Sequence, residues 1–107
     1  MEQKLDLNDQ NKVTVMLMQA LWGAISPNFR LVALALSEPI WQLLFVLETE
    51  CSADREEIED VAGEFDALLL SLNKGSVKFN VQVIVSGEAI SALDPSHWRT
   101  VFRRRES

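Results

Sequence analysis

Carboxylates are the one chemically capable group that this chain concentrates. Glu48, Glu50, Asp54, Glu56, Glu57, Glu59, Asp60, Glu64 and Asp66 stand within one short stretch, with Arg55 as the only base among them. Closely spaced carboxylates can share a proton and act as general acid and base, ligate a divalent cation, or present negative charge to a positive partner. The pattern speaks against the first two. Glu56, Glu59 and Asp60 recur at helical steps on an outward face with no aromatic cleft around them, and an exposed carboxylate has little nearby to tune it for acid work. A calcium loop needs alternating oxygen ligands in an irregular turn, whereas this run has helical periodicity. Charge presentation to a partner, or simple solvation of a helix face, is what remains.

The other reactive residue types are sparse. The chain has one cysteine, Cys51, and one histidine, His97. Neither a zinc-finger spacing nor a two-histidine metal site can be built from them. By type alone they could form a thiolate–imidazole pair, but nothing in the local sequence supports it. Cys51 reads as a small hydrophobe just before a helix, and His97 as an exposed loop residue following Asp94-Pro95. Gly23, Gly63, Gly75 and Gly87 are isolated, so no phosphate-cradling loop is present. No cofactor, no metal and no catalysis are expected.

The acids are positioned by a helix expected over Ser52–Asn73. Ile58, Val61, Ala62, Phe65, Leu69 and Leu72 recur at three- and four-residue steps and form its apolar stripe. Ser52 is the expected N-cap, and Asp54, Glu56 and Glu57 follow where the positive end of the helix dipole favours anions. Asn73 and Gly75 suit its end. The outward face is electrostatically expensive. Glu56–Asp60 and Asp60–Glu64 are like-charge pairs one turn apart, each costing a few tenths of a kcal/mol, and only Arg55–Glu59 offers relief at that spacing. Gly63 sits on the same face. In mid-helix it is either tolerated or leaves a flat spot for a partner's close approach.

Around this helix the periodicities place five more elements. Asn8 or Asp9 caps a first helix with the stripe Val13, Met16, Leu17, Ala20, Leu21 and Ala24, ended by Pro27, with Trp22 just off the stripe. Phe29–Ser37 and Ile40–Glu50 are apolar runs of strand length joined by a turn at Glu38-Pro39, which makes an antiparallel hairpin natural. Neither run alternates cleanly, so it is buried on both faces or covered by a partner on one. After Lys74-Gly75-Ser76, Val77–Ser86 alternates as a half-exposed strand. Phe79, Val81, Val83 and Val85 face one side, and the strand–helix–strand order favours a crossover onto the same sheet. Following a loop over Gly87–Ser96, Trp98–Arg105 is a last strand, with Trp98, Thr100 and Phe102 on one face and Val101 on the other. Arg103-Arg104-Arg105 is split between two faces by strand geometry and reads as charge blunting a sheet edge. The expected fold is α+β, in the order α-β-β-α-β-β, a four-stranded sheet with two helices packed on it.

Composition fits one domain over residues 1–107. Apolar residues make up 48% of the chain, a globular value. The net charge of −6 disfavours nucleic acid and anionic membrane as direct ligands and favours a basic protein partner. The polar start MEQKLDLNDQ does not read as a signal peptide, and Val13–Phe29 is too short and mixed for a membrane span. A lone cysteine fits a reducing cytoplasm.

Three segments, GAISPNFRLVAL (Gly23–Leu34), FVLETECSADREEIEDVAGEFDAL (Phe45–Leu68) and WRTVFRRRE (Trp98–Glu106), resemble the small bacterial immunity proteins that accompany contact-dependent growth inhibition and related polymorphic toxins. The resemblance implies a non-enzymatic inhibitor that binds the C-terminal toxin domain of its own strain, often a nuclease, and blocks or distorts its active site. The charge placement agrees, since a surface that holds phosphates is electropositive and an acidic helix can mimic what it binds. Glu48, Glu50, Asp54, Glu56, Glu57, Glu59 and Asp60 are the expected contact surface, with exposed apolar neighbours such as Leu70 packing at its centre. The competing expectation is a regulatory or scaffolding domain that dimerises through its apolar hairpin.

Overall fold

The computed structural model describes residues 7–36, 40–71, 78–90 and 93–106. The chain start at residues 1–6, the Glu38-Pro39 turn and the Asn73–Gly75 helix stop and turn lie outside them. Among the described residues the order is α1 (Leu7–Leu21), β1 (Phe29–Ala35), β2 (Ile40–Leu47), α2 (Ser52–Ser71), β3 (Lys78–Val85) and β4 (Arg99–Arg103). The strands form one sheet in the order β3-β2-β1-β4. The β1–β2 hairpin is antiparallel, and the α2 crossover lays β3 parallel to β2.

The two faces of the sheet are filled differently. On one face Phe29, Val32, Leu34, Trp41, Phe45 and Leu47 meet the buried stripes of both helices, led by Val13, Leu17, Ile58, Val61, Phe65 and Leu69. Ring edges meet ring faces at Phe29–Phe45 and Phe65–Phe79, with centroids 6.4 and 5.4 Å apart. Each fully buried large side chain here contributes roughly 1.5–3 kcal/mol. On the opposite face Leu31, Ala33, Leu44 and Val46 are covered by Ile90, Leu93 and Trp98. That second cover explains why β1 and β2 lack alternation: they are inner strands buried from both sides by their own chain. It also leaves β1 no open apolar face for a partner, since every β1 residue is buried.

Three element ends differ from expectation. Helix α1 stops at Leu21 rather than running on to Pro27. Gly23 adopts φ +81°, a left-handed conformation open to glycine, and the Ala24 N–H returns to the Leu21 carbonyl at 2.9 Å. Asn8 and Asp9 lie inside α1 and do not cap it. Strand β2 stops at Leu47 because the Asn28 side chain takes over the next backbone groups. Its Oδ1 accepts the Thr49 N–H at 2.9 Å, and its Nδ2 donates to the Thr49 carbonyl at 2.8 Å.

The last strand corrects the expected facing. The β1–β4 register slips between Val32 and Ala33, which face Phe102 and Thr100, so Val101 is bulged. The bulge lets both Val101 and Phe102 reach the helix-side core, while Trp98 covers the opposite face. Arg99 binds the Gln10, Asn11 and Thr14 side chains of α1.

A buried arginine ties the start of β1 to the segment after β3 and to Glu106 beyond β4. Arg30 sits at a second irregularity, between Phe29 and Leu31 on β1, and is 4% exposed. Its Nε and Nη2 donate to the Glu106 carboxylate at 2.7 and 2.8 Å, and its Nη1 to the Ser86 and Glu88 carbonyls. The Arg30 hydrogen bonds, with help from Arg104, outweigh desolvation and hold Glu106 down at about 2, against an ordinary value near 4.5. A depressed carboxylate stabilises the fold fully above its unfolded value and ceases to do so as pH falls through its folded value. Acid titration of stability should therefore show a loss between about pH 4.5 and 2. Glu106→Gln should flatten that limb in urea melts taken across pH.

Candidate partner-binding surface

The start of α2 is built by residues from three segments. The Arg55 N–H reaches the Cys51 carbonyl at 3.0 Å, so Cys51, not Ser52, occupies the N-cap. Asp54, three residues on, stands where a capping-box acid stands and receives the Cys51 side chain. It also accepts Asn28 Nδ2 at 2.9 Å. Burial pushes the Asp54 carboxyl up, but hydrogen bonds from Asn28, Ser26 and Cys51 more than offset this and hold it below the usual carboxylate range. Asn28 thereby clamps the entry to β1, the exit from β2 and the first turn of α2 together.

This geometry divides the seven candidate acids. Asp54 is only 6% exposed, so it serves the fold beneath the surface rather than a contact face. Glu48 pairs with Arg104 at 2.7 Å. Glu50 pairs bidentately with Arg55 at 2.5 and 2.7 Å and accepts the Cys51 N–H, so Arg55 turns back to Glu50 instead of forward to Glu59. The Arg55 hydrogen bond is the chief cause that holds Glu50 below the usual carboxylate range. Glu56, Glu57, Glu59 and Asp60 are all exposed, and among the described residues none of the four has an ion pair. The structure thus brings four acids together as an uncompensated face and gives the other three internal partners.

Gly63 continues that face. It is exposed, and a Cβ built on it would meet nothing within 4 Å. Gly63→Ala should therefore stabilise the free protein by about 0.5–1 kcal/mol, read as a shift in urea midpoint. Leu70 on the same helix is 62% exposed.

A second surface was legible only as a residue out of place. Trp22, off the α1 stripe, is 89% exposed. It borders a hollow of about 340 Å³ whose other walls are Met18, Leu21, Gly23, Ile25, Val101 and Phe102. The turn at Gly23 and the bulge at Val101 make that hollow, and neither is visible in a helical or strand period. An exposed tryptophan beside an apolar hollow is the composition of an interface anchor.

The reactive residues do not converge. Cys51 is engaged with Asp54, whereas the His97 ring lies edge-on to Trp98 with centroids 5.3 Å apart. Among the described residues no three histidine, cysteine or acidic side chains are grouped to hold a metal, and no helix is long and apolar enough to cross a membrane.

A family model described as MafI2 immunity protein matches residues 10–106 of this chain. No curated protein matches it.

Proposed function

The chain belongs to the MafI2 immunity protein family and so neutralises a toxin, and from that premise we propose that it acts by binding alone, with the outward acids of α2 as the contact face. The toxin is a basic domain at the C-terminus of a contact-dependent growth inhibition effector. It is a nuclease whose phosphate-binding surface is met by Glu56, Glu57, Glu59 and Asp60. Neutralisation takes place in the cytoplasm, where such a toxin meets its substrate.

One observation carries this reading. Glu48, Glu50 and Asp54 each have an internal partner, while the four acids that follow them have no ion pair among the described residues. Like charges held one turn apart cost free energy in the isolated protein, and a positive surface would recover that cost. Charge of this kind acts first on the encounter rate and on the choice of partner. The test is co-expression with the toxin domain. Cells should survive, and the two chains should co-purify as a complex whose surface protection maps to residues 56–60. A complex that protects some other face would refute the assignment of the surface.

A second reading of the same neutralisation is favoured by Trp22. There the toxin inserts an apolar side chain into the hollow beside it, and the acids serve only to keep the protein soluble. Trp22→Ala would then abolish protection and the α2 substitutions would leave it intact, the reverse of what the acidic face requires.

A further inference from the structure

The two edges of the sheet are guarded very differently. Strand β4 is five residues long, bulged at Val101, and carries Arg99 and Arg103. Short length, a bulge and charge are the devices that stop an edge from pairing with another chain. Strand β3, on the other edge, is neither short nor bulged and carries a single charge at its start. It spans eight residues, KFNVQVIV, holds an unbroken register against β2, contains no proline, and has Lys78 as its only charge. Val81, Ile84 and Val85 are 40, 40 and 38% exposed, and Ile40 on the adjoining strand is 40% exposed. Apolar surface is thus left open on both faces of the sheet along this edge.

The pattern of β3 is self-complementary. The Ser86 N–H bonds the Leu47 carbonyl at 2.9 Å. Given the even register, Asn80, Gln82 and Ile84 turn their ladder groups toward β2, and Phe79, Val81, Val83 and Val85 turn theirs outward. An antiparallel copy related by a two-fold axis through Gln82 keeps each sheet face on its own side. It sets Val81 opposite Val83 and Phe79 opposite Val85 as hydrogen-bonded pairs, and Gln82 opposite itself as a non-hydrogen-bonded pair. The two Lys78 side chains fall at opposite ends. Each stands across from Ser86 of the other copy, so the like charges are apart. The helix-face valines of both copies then close into one apolar strip.

We propose that β3 is the interface of a symmetric dimer in which a second copy of this chain pairs with it antiparallel, joining two four-stranded sheets into one of eight. Eight residues a side with partly exposed apolar side chains lies near the lower bound of specific interfaces, about 1,200 Å² in total, so the dimer is a dissociable one. It does not depend on which face holds the toxin.

Sedimentation of the purified chain over a range of concentrations should show a monomer converting to twice its mass. Val81→Pro removes only an outward N–H, which an edge strand tolerates. It should weaken the association by about tenfold or more, by deleting two symmetry-related hydrogen bonds, with the far-ultraviolet spectrum unchanged. Gln82→Cys in a Cys51→Ser background should oxidise to a covalent dimer, since facing residues of a non-hydrogen-bonded pair are close enough for a disulfide. Asn80→Cys, which faces Ile84, should not. A chain that stays monomeric at every concentration would overturn the proposal, even if a toxin strand were later found on β3. So would a folded Val81→Pro that dimerises as before, or cross-linking at position 80 as fast as at 82. Should Val81→Pro fail to fold, Val81→Lys and the two cysteine variants decide.

Discussion

Replacing Glu56, Glu59 and Asp60 together by lysine is expected to slow association with the toxin by about a hundredfold and to abolish protection in cells, while the protein stays folded. Each reversal adds two charges, so the triple variant moves the net charge from −6 to zero. Electrostatic steering accelerates encounter by roughly 10 to 10³, and reversed charges at the contact add direct repulsion to its loss. The fold should not suffer. All three side chains are exposed and make no ion pair among the described residues. The changes at 56 and 60 exchange one like-charge pair for another, and Asp60→Lys sets a positive charge one turn from Glu64. Urea midpoints within about 0.5 kcal/mol of the parent should confirm this. The contrast with Glu48 and Glu50 is part of the prediction. Reversing Glu50 takes from Arg55 its carboxylate partner, and reversing Glu48 leaves Arg104 with Glu106 alone, so either should cost stability before it costs binding.

Phe65→Ala is expected to be the most destabilising single change on α2, by about 3–5 kcal/mol. Phe65 is fully buried and meets the Phe79 ring at 5.4 Å, so it fastens the acidic helix to the edge strand of the sheet. The loss combines the transfer energy of the ring, the cavity it leaves, and the ring–ring contact worth about 1 kcal/mol. That is a large fraction of the roughly 5–15 kcal/mol by which domains of this size are stable. Phe65→Leu, which keeps most of the volume, should cost clearly less. Binding should fall with the folded fraction and recover at low temperature or in stabilising osmolyte. The Glu56, Glu59 and Asp60 variant should show no such recovery, and this separates a scaffold residue from a contact residue.

The sequence made the element order and the hairpin readable because their signals are local. Ile58, Val61, Phe65 and Leu69 repeat at the helical period, and Phe79, Val81, Val83 and Val85 repeat at the strand period. The return of β3 to the same sheet followed from the strand–helix–strand order, while its place beside β2 did not. What was not readable depended on partners distant in sequence. Arg30 looks like a lone charge in an apolar strand until Glu106 and two carbonyls surround it. Asp54 looks like one more surface acid until Asn28 reaches it. The Val101 bulge shifts one residue against β1 and so defeats an alternation count. Gly23 ended α1 ahead of Pro27 because a left-handed residue can close a helix without waiting for a residue that cannot continue it. For the candidate surface, helical spacing grouped the acids, but only the positions of Arg55 and Arg104 show which of them are left uncompensated.

The interaction proposed for α2 is at root a long-range one between fixed charges, and the rate at which the two proteins find each other reports on it most directly. The association rate of the chain with its toxin should be measured by stopped flow from about 0.01 to about 1 M salt, over which the screening length contracts from about 30 to about 3 Å. Steering by Glu56, Glu57, Glu59 and Asp60 requires that rate to fall steeply, by about tenfold or more, with the dissociation rate changing far less. An association rate that is flat across the range, and equal for the lysine variant, would contradict it and leave Trp22 as the anchor.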